Sequence, residues 1–187
     1  DVKRKVTNKV IGSRSFSSNP LLVSKLGKIC VNNFHENHIG TVTKHIPGHG
    51  LSKVDSHYKL PVVKKNIKHL TKVDFFPFKK QKSILTMTAH VIYSSIDPIN
   101  TATHSSKIIK IIRNKIGFKN ILISDDISMK ALKYSLSINT TQAFKAGCNL
   151  VLHCNGNYKE MLIVAKNSPL LSKFVIKKTS QLLNIIR

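Results

Sequence analysis

The chain has 187 residues, 41% of them hydrophobic, and sets 31 Lys and Arg against 8 Asp and Glu for a formal net charge of +23. That length suits one domain with a real core, and the apolar residues fall in clusters divided by turn signals, which excludes a disordered chain. No tract nears the roughly 20 apolar residues that cross a bilayer, and no apolar signal core follows Asp1-Val-Lys-Arg4, so a soluble protein without a membrane partner is expected.

The chain opens without Met at what reads as the end of a strand, so an N-terminally incomplete fold is expected. Asn19 before Pro20 marks a helix start, and helical spacing runs from there to about Asn37. A short β-branched run from Ile39 to Ile46 follows, then a loop rich in Gly, His, Ser and Asp from Pro47 to Lys59. Helical spacing resumes from Val62 to Leu70, an irregular piece holds Phe75, Phe76 and Phe78, and Ser83 to Tyr93 is predicted as a strand. Ser105 to Ile116 is helical by period with Gly117 as its stop, and Ile121 to Ser124 is a short buried strand. Met129 to Ala146 is helical, Asn149 to His153 is a strand, and Tyr158 to Arg187 is helical in two pieces broken near Pro169.

Four strand-helix units, with short unalternated apolar strands and no internal repeat or linker, are the pattern of a parallel sheet buried on both faces. Either a barrel or an open doubly wound sheet satisfies it, and residues 1–187 read as one domain. A complete (β/α)8 barrel needs about 250 residues, so the barrel reading makes this chain part of one.

The lysines are spread along every segment, aromatic residues are 6% of the chain, and Trp is absent. A nucleic-acid footprint calls for a basic run or face with interleaved aromatics, so the charge reads as a residue-usage bias at exposed positions. Non-specific attraction to polyanions follows from it and stands as the alternative function. Cys30, Cys148 and Cys154 fit neither a zinc nor a CxxC pattern and read as small buried or half-buried thiols in a reducing cytoplasm.

Polar residues collect where strands end: Lys44 and His45, then His90, then Asp125 and Asp126. In parallel β/α folds these ends share one face, which is where ligands bind. In Lys44-His-Ile-Pro-Gly-His-Gly50 two glycines flank His49 and let the backbone turn tightly. Asp55 and His57, two apart on the same loop, can sit side by side, with the carboxylate holding one imidazole nitrogen and the ring exchanging a proton near neutral pH. His45, His49 and His57 are near enough in sequence to raise zinc, but the spacing fits no zinc pattern, so no metal or other cofactor is expected. Asp126 alternates with Asp125 along the strand and is expected to face elsewhere.

The order KHIPGHG, DSH, AHVIYSSIDP, ILISDDISM and AGCNLVLHCNG, preceded by VIGSRSFSSNP, resembles the bacterial β-N-acetylglucosaminidases of glycoside hydrolase family 3, the peptidoglycan-recycling type, from Asp1 to about Asn157. The resemblance implies a (β/α)8 TIM-type barrel of which this chain covers roughly the C-terminal half to two-thirds. It implies Asp125 as nucleophile, His57 as general acid/base with Asp55 as its partner, and Arg14, Lys44 and His45 as sugar ligands. The implied reaction is retaining cleavage of terminal β-linked N-acetylglucosamine from cytoplasmic muropeptide fragments, with N-acetylglucosaminide phosphorolysis as a variant on the same residues. A helix beginning near Met129 is expected to help keep Asp125 ionised. The family's early strands, with a further acidic sugar ligand and a second arginine, have no counterpart, so weak or no turnover, or a catalytically silent remnant, is expected of this chain alone.

Overall fold

The computed structural model describes residues 1–187. Helix α1 (Pro20–Glu36) starts as its sequence requires: the Asn19 side chain accepts from the Leu21 and Leu22 N–H groups, with Pro20 in the first turn. Strand β1 (Val42–Ile46) begins three residues later than the β-branched run suggests. Residues Val62 and Val63 form a short strand, β2, and only Ile67–Lys72 is helical (α2), which corrects the helix expected over Val62–Leu70. Asn66 sets that boundary, because its side chain caps the helix at the His69 N–H.

The apolar run of Ser83–Tyr93 is likewise two strands, β3 (Leu85–Thr88) and β4 (Ile92–Tyr93), in different sheets. Helix α3 (Ser106–Ile111) continues through a π turn (Ile112–Ile116) and stops at Gly117, whose φ of +83° is left-handed. Strand β5 (Ile121–Asp126) includes both aspartates as its last two residues. Helix α4 spans Leu136–Ala146, not Met129–Ala146, because Ser135 caps it and residues 127–135 are turns, bends and irregular chain. Strand β6 (Leu150–Leu152), helix α5 (Tyr158–Lys166) and helix α6 (Lys173–Ile185) complete the chain, with the expected break around Pro169.

Four parallel strands lie in the order β1-β3-β5-β6, and β2 pairs in parallel with β4 beside them. Each strand of the larger sheet neighbours the next one in sequence, with no reversal, whereas a doubly wound sheet reverses at a switch point. The core includes Ile46, Leu70, Phe75, Tyr93, Ile108, Ile112 and Leu122, all buried in one cluster, with Phe75 edge-on to Tyr93 at 5.6 Å.

Two register slips interrupt the ladders. Lys44 pairs with Met87 and Ile46 with Thr88, so His45 is an extra residue in β1; Ile123 pairs with Leu150 and Asp126 with Leu152, so β5 carries an extra residue at Ser124–Asp125. A bulge bends its strand and re-aims the side chains at it. The Ser124 hydroxyl supports the second slip by accepting from the Leu152 N–H at 3.0 Å.

The eight acids are used sparingly. Each of the four ion pairs joins an acid to a histidine, and none includes Lys or Arg. Unpaired like charge repels itself and is screened by salt. The unfolding midpoint should therefore rise as ionic strength is raised to about 0.15 M, where the screening length is about 8 Å; a midpoint indifferent to salt contradicts this. Leu122, fully buried, should cost about 2–5 kcal/mol when replaced by Ala. The same replacement at Ile99, 72% exposed, should stay within about 0.5 kcal/mol, both read by urea unfolding.

Candidate active site

The site forms where β1 and β5, flanking β3, reach their carboxyl ends. Glycines shape the turn after β1. Gly48 has φ +141°, and a Cβ there would meet the Asp74 carbonyl oxygen at 2.7 Å; a Cβ on Gly50 would fall 1.9 Å from the Val2 carbonyl oxygen. The chain is thus pressed against the N-terminal segment and Asp74, with the Tyr93 hydroxyl donating to the Gly48 carbonyl. The Lys44–His45 and Ile46–Pro47 peptide bonds are cis.

That pressing brings Asp1 into the site. Its Oδ2 accepts from the His45 ring Nδ1–H at 2.8 Å, its Oδ1 accepts from the His49 backbone N–H at 2.6 Å, and the His45 backbone N–H lies 3.3 Å from both oxygens. The other ring nitrogen of His45, Nε2, stands 3.9 Å from Asp125 Oδ2. Burial is the chief reason the His45 pKa falls to about 3; the Asp125 charge pulls it upward, and Lys44 and Arg14 push it further down. His49, its ring 5.4 Å from that of His45, falls to about 4 through burial first and the neighbouring His45 second.

The Asp55–His57 pair forms as the sequence suggests. Asp55 Oδ1 accepts from the ring Nδ1–H of His57 at 2.6 Å and from its backbone N–H at 2.9 Å. Burial, the largest single influence, pushes the Asp55 carboxyl up, but those two hydrogen bonds and the imidazole charge hold it below the usual range. The His57 side chain is 57% exposed, and no ion pair joins it to Asp125. What links the loop to the strand ends is Ser56, buried between the two, whose hydroxyl lies 3.3 Å from His49 Nε2. The structure thus strings Asp125, His45 and His49 together, with Asp55 and His57 flanking the residue that meets His49.

Arg14 and Lys44 are exposed and line, with Asp1, a cavity of about 380 Å³ between α1 and β1. The Arg14 guanidinium donates to the Val10 carbonyl at 2.8 Å. Apolar side chains such as Val31 and Phe34 form much of that cavity's wall, and neither Asp125 nor His57 lines it, so its bulk lies along the free edge of β1 beside the site.

Three expectations need correction. His90 does not open onto the site: it is wholly buried, its Nε2–H donates to the Asp126 carbonyl at 2.9 Å, and its Nδ1 meets the Thr103 hydroxyl, so it clamps the tip of β5. The helix expected near Met129 starts only at Leu136, so no helix N-terminus follows directly on Asp125. Cys154 is exposed, while Cys148 is buried and Cys30 half-buried. Asp126 has the separate role expected of it, its carboxylate accepting from the Ser128 N–H and hydroxyl. No group of three or more His, Cys, Asp or Glu is arranged to hold a metal ion; His45 and His49 lie together while His57 points out.

Asp1 carries no motif signal in the sequence, and Ser56 stands inside the DSH motif without a role of its own being legible there. Scarcity is the clue for Asp1, since each of only eight acids has to be accounted for in so basic a chain.

Residues 1–185 match the family described as Glycosyl hydrolase family 3 N terminal domain. The chain belongs to glycosyl hydrolase family 3. It is 38% identical over 152 residues to a beta-hexosaminidase of Nitrosomonas eutropha, covering 78% of this chain and 43% of that protein. It is 36% identical over 154 residues to one from Shewanella frigidimarina, covering 79% and 45%. Among solved structures, a family 3 beta-N-acetylglucosaminidase from Paenibacillus superposes with a TM-score of 0.86 at 28% identity, over 99% of this chain and 38% of that one. Native NagZ from Neisseria gonorrhoeae gives 0.85 at 28%, over 97% and 54%. The chain therefore spans about half, or less, of the proteins it resembles.

Buried neutral histidines make a pH prediction. The unfolded chain protonates them as pH falls through about 6.5, whereas folded His45, His49 and His104 stay neutral to about 3, 4 and 4. Below about pH 6.5 the unfolded state binds more protons, so each ring withdraws up to about 1.4 kcal/mol per pH unit until its folded pKa is reached. Asp74 works in the opposite sense: burial raises its carboxyl to about 6, so the folded state takes up that proton first and regains part of the loss. Urea midpoints should fall steadily from about pH 6.5 to about 4, with a shallower slope in His49→Gln; a flat profile contradicts the burial of these rings.

Proposed function

We propose that this chain carries the cleavage site of a retaining β-N-acetylglucosaminidase and corresponds to the C-terminal half to two-thirds of a (β/α)8 barrel. The sequential strand order supports the barrel, and family membership supports the glycosidase class. The observation that carries the chemistry is the meeting of Asp125 with His45 at 3.9 Å across two strand ends, with the Asp55–His57 pair on the loop that Ser56 ties to His49, whose ring lies 5.4 Å from that of His45.

In this reading Asp125 attacks the anomeric carbon as the bond to the leaving oxygen breaks, giving a glycosyl ester and an inverted centre. His57, protonated and oriented by Asp55, gives its proton to the leaving oxygen. Water then loses a proton to the same imidazole, adds to the anomeric carbon and releases Asp125 as carboxylate, so two inversions retain the configuration. Lys44 and Arg14 donate to the sugar's hydroxyls and His45 accepts from one. The substrate is a terminal β-linked N-acetylglucosamine, and muropeptide fragments in the cytoplasm are its proposed source.

The test is release of nitrophenol from the 4-nitrophenyl β-N-acetylglucosaminide, with labelling by a fluorinated, slowly hydrolysed analogue. The label should map to the peptide containing Asp125, Asp125→Ala should reduce release to background, and His57→Ala should lower it about 10²–10⁴-fold. Because a dinitrophenyl leaving group needs little acid assistance, His57→Ala should lose far less with that substrate in the first step. Label on another residue, or both variants as active as the parent, overturns the assignment; sugar 1-phosphate formed on adding phosphate would make phosphate the acceptor.

A further inference from the structure

We propose that Asp1 is a positioning residue that locks His45 as its Nδ1–H tautomer, so that Nε2 faces Asp125 as a bare acceptor for a ligand hydroxyl. A carboxylate oxygen only accepts, so the 2.8 Å contact between Asp1 Oδ2 and His45 Nδ1 places the ring proton on Nδ1. The ring carries no second proton near neutral pH, since burial keeps its pKa at about 3. Nε2 then presents a lone pair towards Asp125 Oδ2 at 3.9 Å, and two acceptors facing each other form no hydrogen bond. The gap is completed by something that brings a proton to Nε2: an O–H of the bound molecule.

The two oxygens of Asp1 are not interchangeable, which makes the device specific. Oδ1 is held by the His49 backbone N–H at 2.6 Å, leaving Oδ2 for the ring. In Asp1→Asn the amide oxygen must stay on that backbone donor, and the NH2 group therefore falls against Nδ1. A donor opposite Nδ1 favours the other tautomer, Nε2–H, with the Asp125 carboxylate at hand to accept. The same size and shape then produce a ring that offers a proton where a hydroxyl expects to give one. An aspartate that fixes an imidazole tautomer in this way changes chemistry without changing geometry.

The tautomer itself is independent of what the site cleaves; only its consequence for sugar binding rests on the glycosidase reading. The experiment is long-range ¹H–¹⁵N correlation of the imidazole rings in the full chain labelled at its nine histidines, with His45 assigned by His45→Gln, at a pH about one unit above the ordinary histidine value. Parent His45 should show a protonated Nδ1 and a pyridine-type Nε2, and Asp1→Asn should exchange the two while the other rings keep their patterns. Asp1→Glu, which retains a carboxylate, should preserve the parent tautomer. An Nε2–H tautomer in the parent overturns the proposal even if no variant folds, and so does an unchanged tautomer in folded Asp1→Asn. Nitrophenol release left unchanged by Asp1→Asn, with the tautomers exchanged as expected, would count against the sugar-binding consequence alone.

Discussion

Parallel pairing of β1, β3, β5 and β6 is the constraint on which everything else rests. Because all four strands run the same way, their carboxyl ends emerge on one side, and residues 80 positions apart, His45 and Asp125, meet there although β3 lies between their strands. The pairing alone is not sufficient. Regular ladders turn alternate side chains to opposite faces, and the two site residues lie at the two places where a ladder slips by one residue. Each slip costs a ladder hydrogen bond and is supported locally, by Ser124 in β5 and by the Asp1 carboxylate beneath His45.

Around that frame the acids and histidines act as a sparse polar skeleton in a basic protein. Asp1, Asp55 and Glu160 each hold an imidazole, Asp126 closes the turn after β5, and Asp97 accepts from Ser105 and Asn100. Lysines, in contrast, enter no ion pair and sit on nearly every element. Six of the eight acids thus accept a specific hydrogen bond, whereas both Asp74 carboxylate oxygens are buried without a partner and Glu36 ends α1. This pattern fits a bias in residue usage better than a surface built for nucleic acid, which would gather its charge on one face.

Much of this was legible from residue order, and the exceptions have physical causes. The strand tips declared themselves through short apolar runs ending in Lys44-His45 and Asp125-Asp126, and the Asp55–His57 spacing foretold a pair that the structure makes at 2.6 Å. Helix α1 was marked by Asn19 and Pro20. Residues 62–70 misled because helical spacing in so short a span also describes a two-residue strand followed by a capped turn, with Asn66 deciding between them. Met129–Ser135 misled in the same way: apolar residues at helical intervals here pack under turns, and Ser135 begins the true helix. His90 looked like a site residue because it sits at a strand end; only tertiary placement reveals that the Asp126 carbonyl and Thr103 consume both its nitrogens. Asp1 was invisible to spacing, since its partners lie 44 and 48 residues away.

The central claim is that strand ends and loop, which share no direct ion pair, form one site for one ligand. Titrating a non-hydrolysable β-N-acetylglucosaminide into the labelled chain while following the ring signals of His45 and His57 tests it without any need for turnover. The account requires both rings to shift along a single binding curve, and Asp125→Asn to weaken that curve for both. Movement of one ring alone, or two curves with different midpoints, would mean that the Asp55–His57 pair and the Asp125 face serve separate purposes.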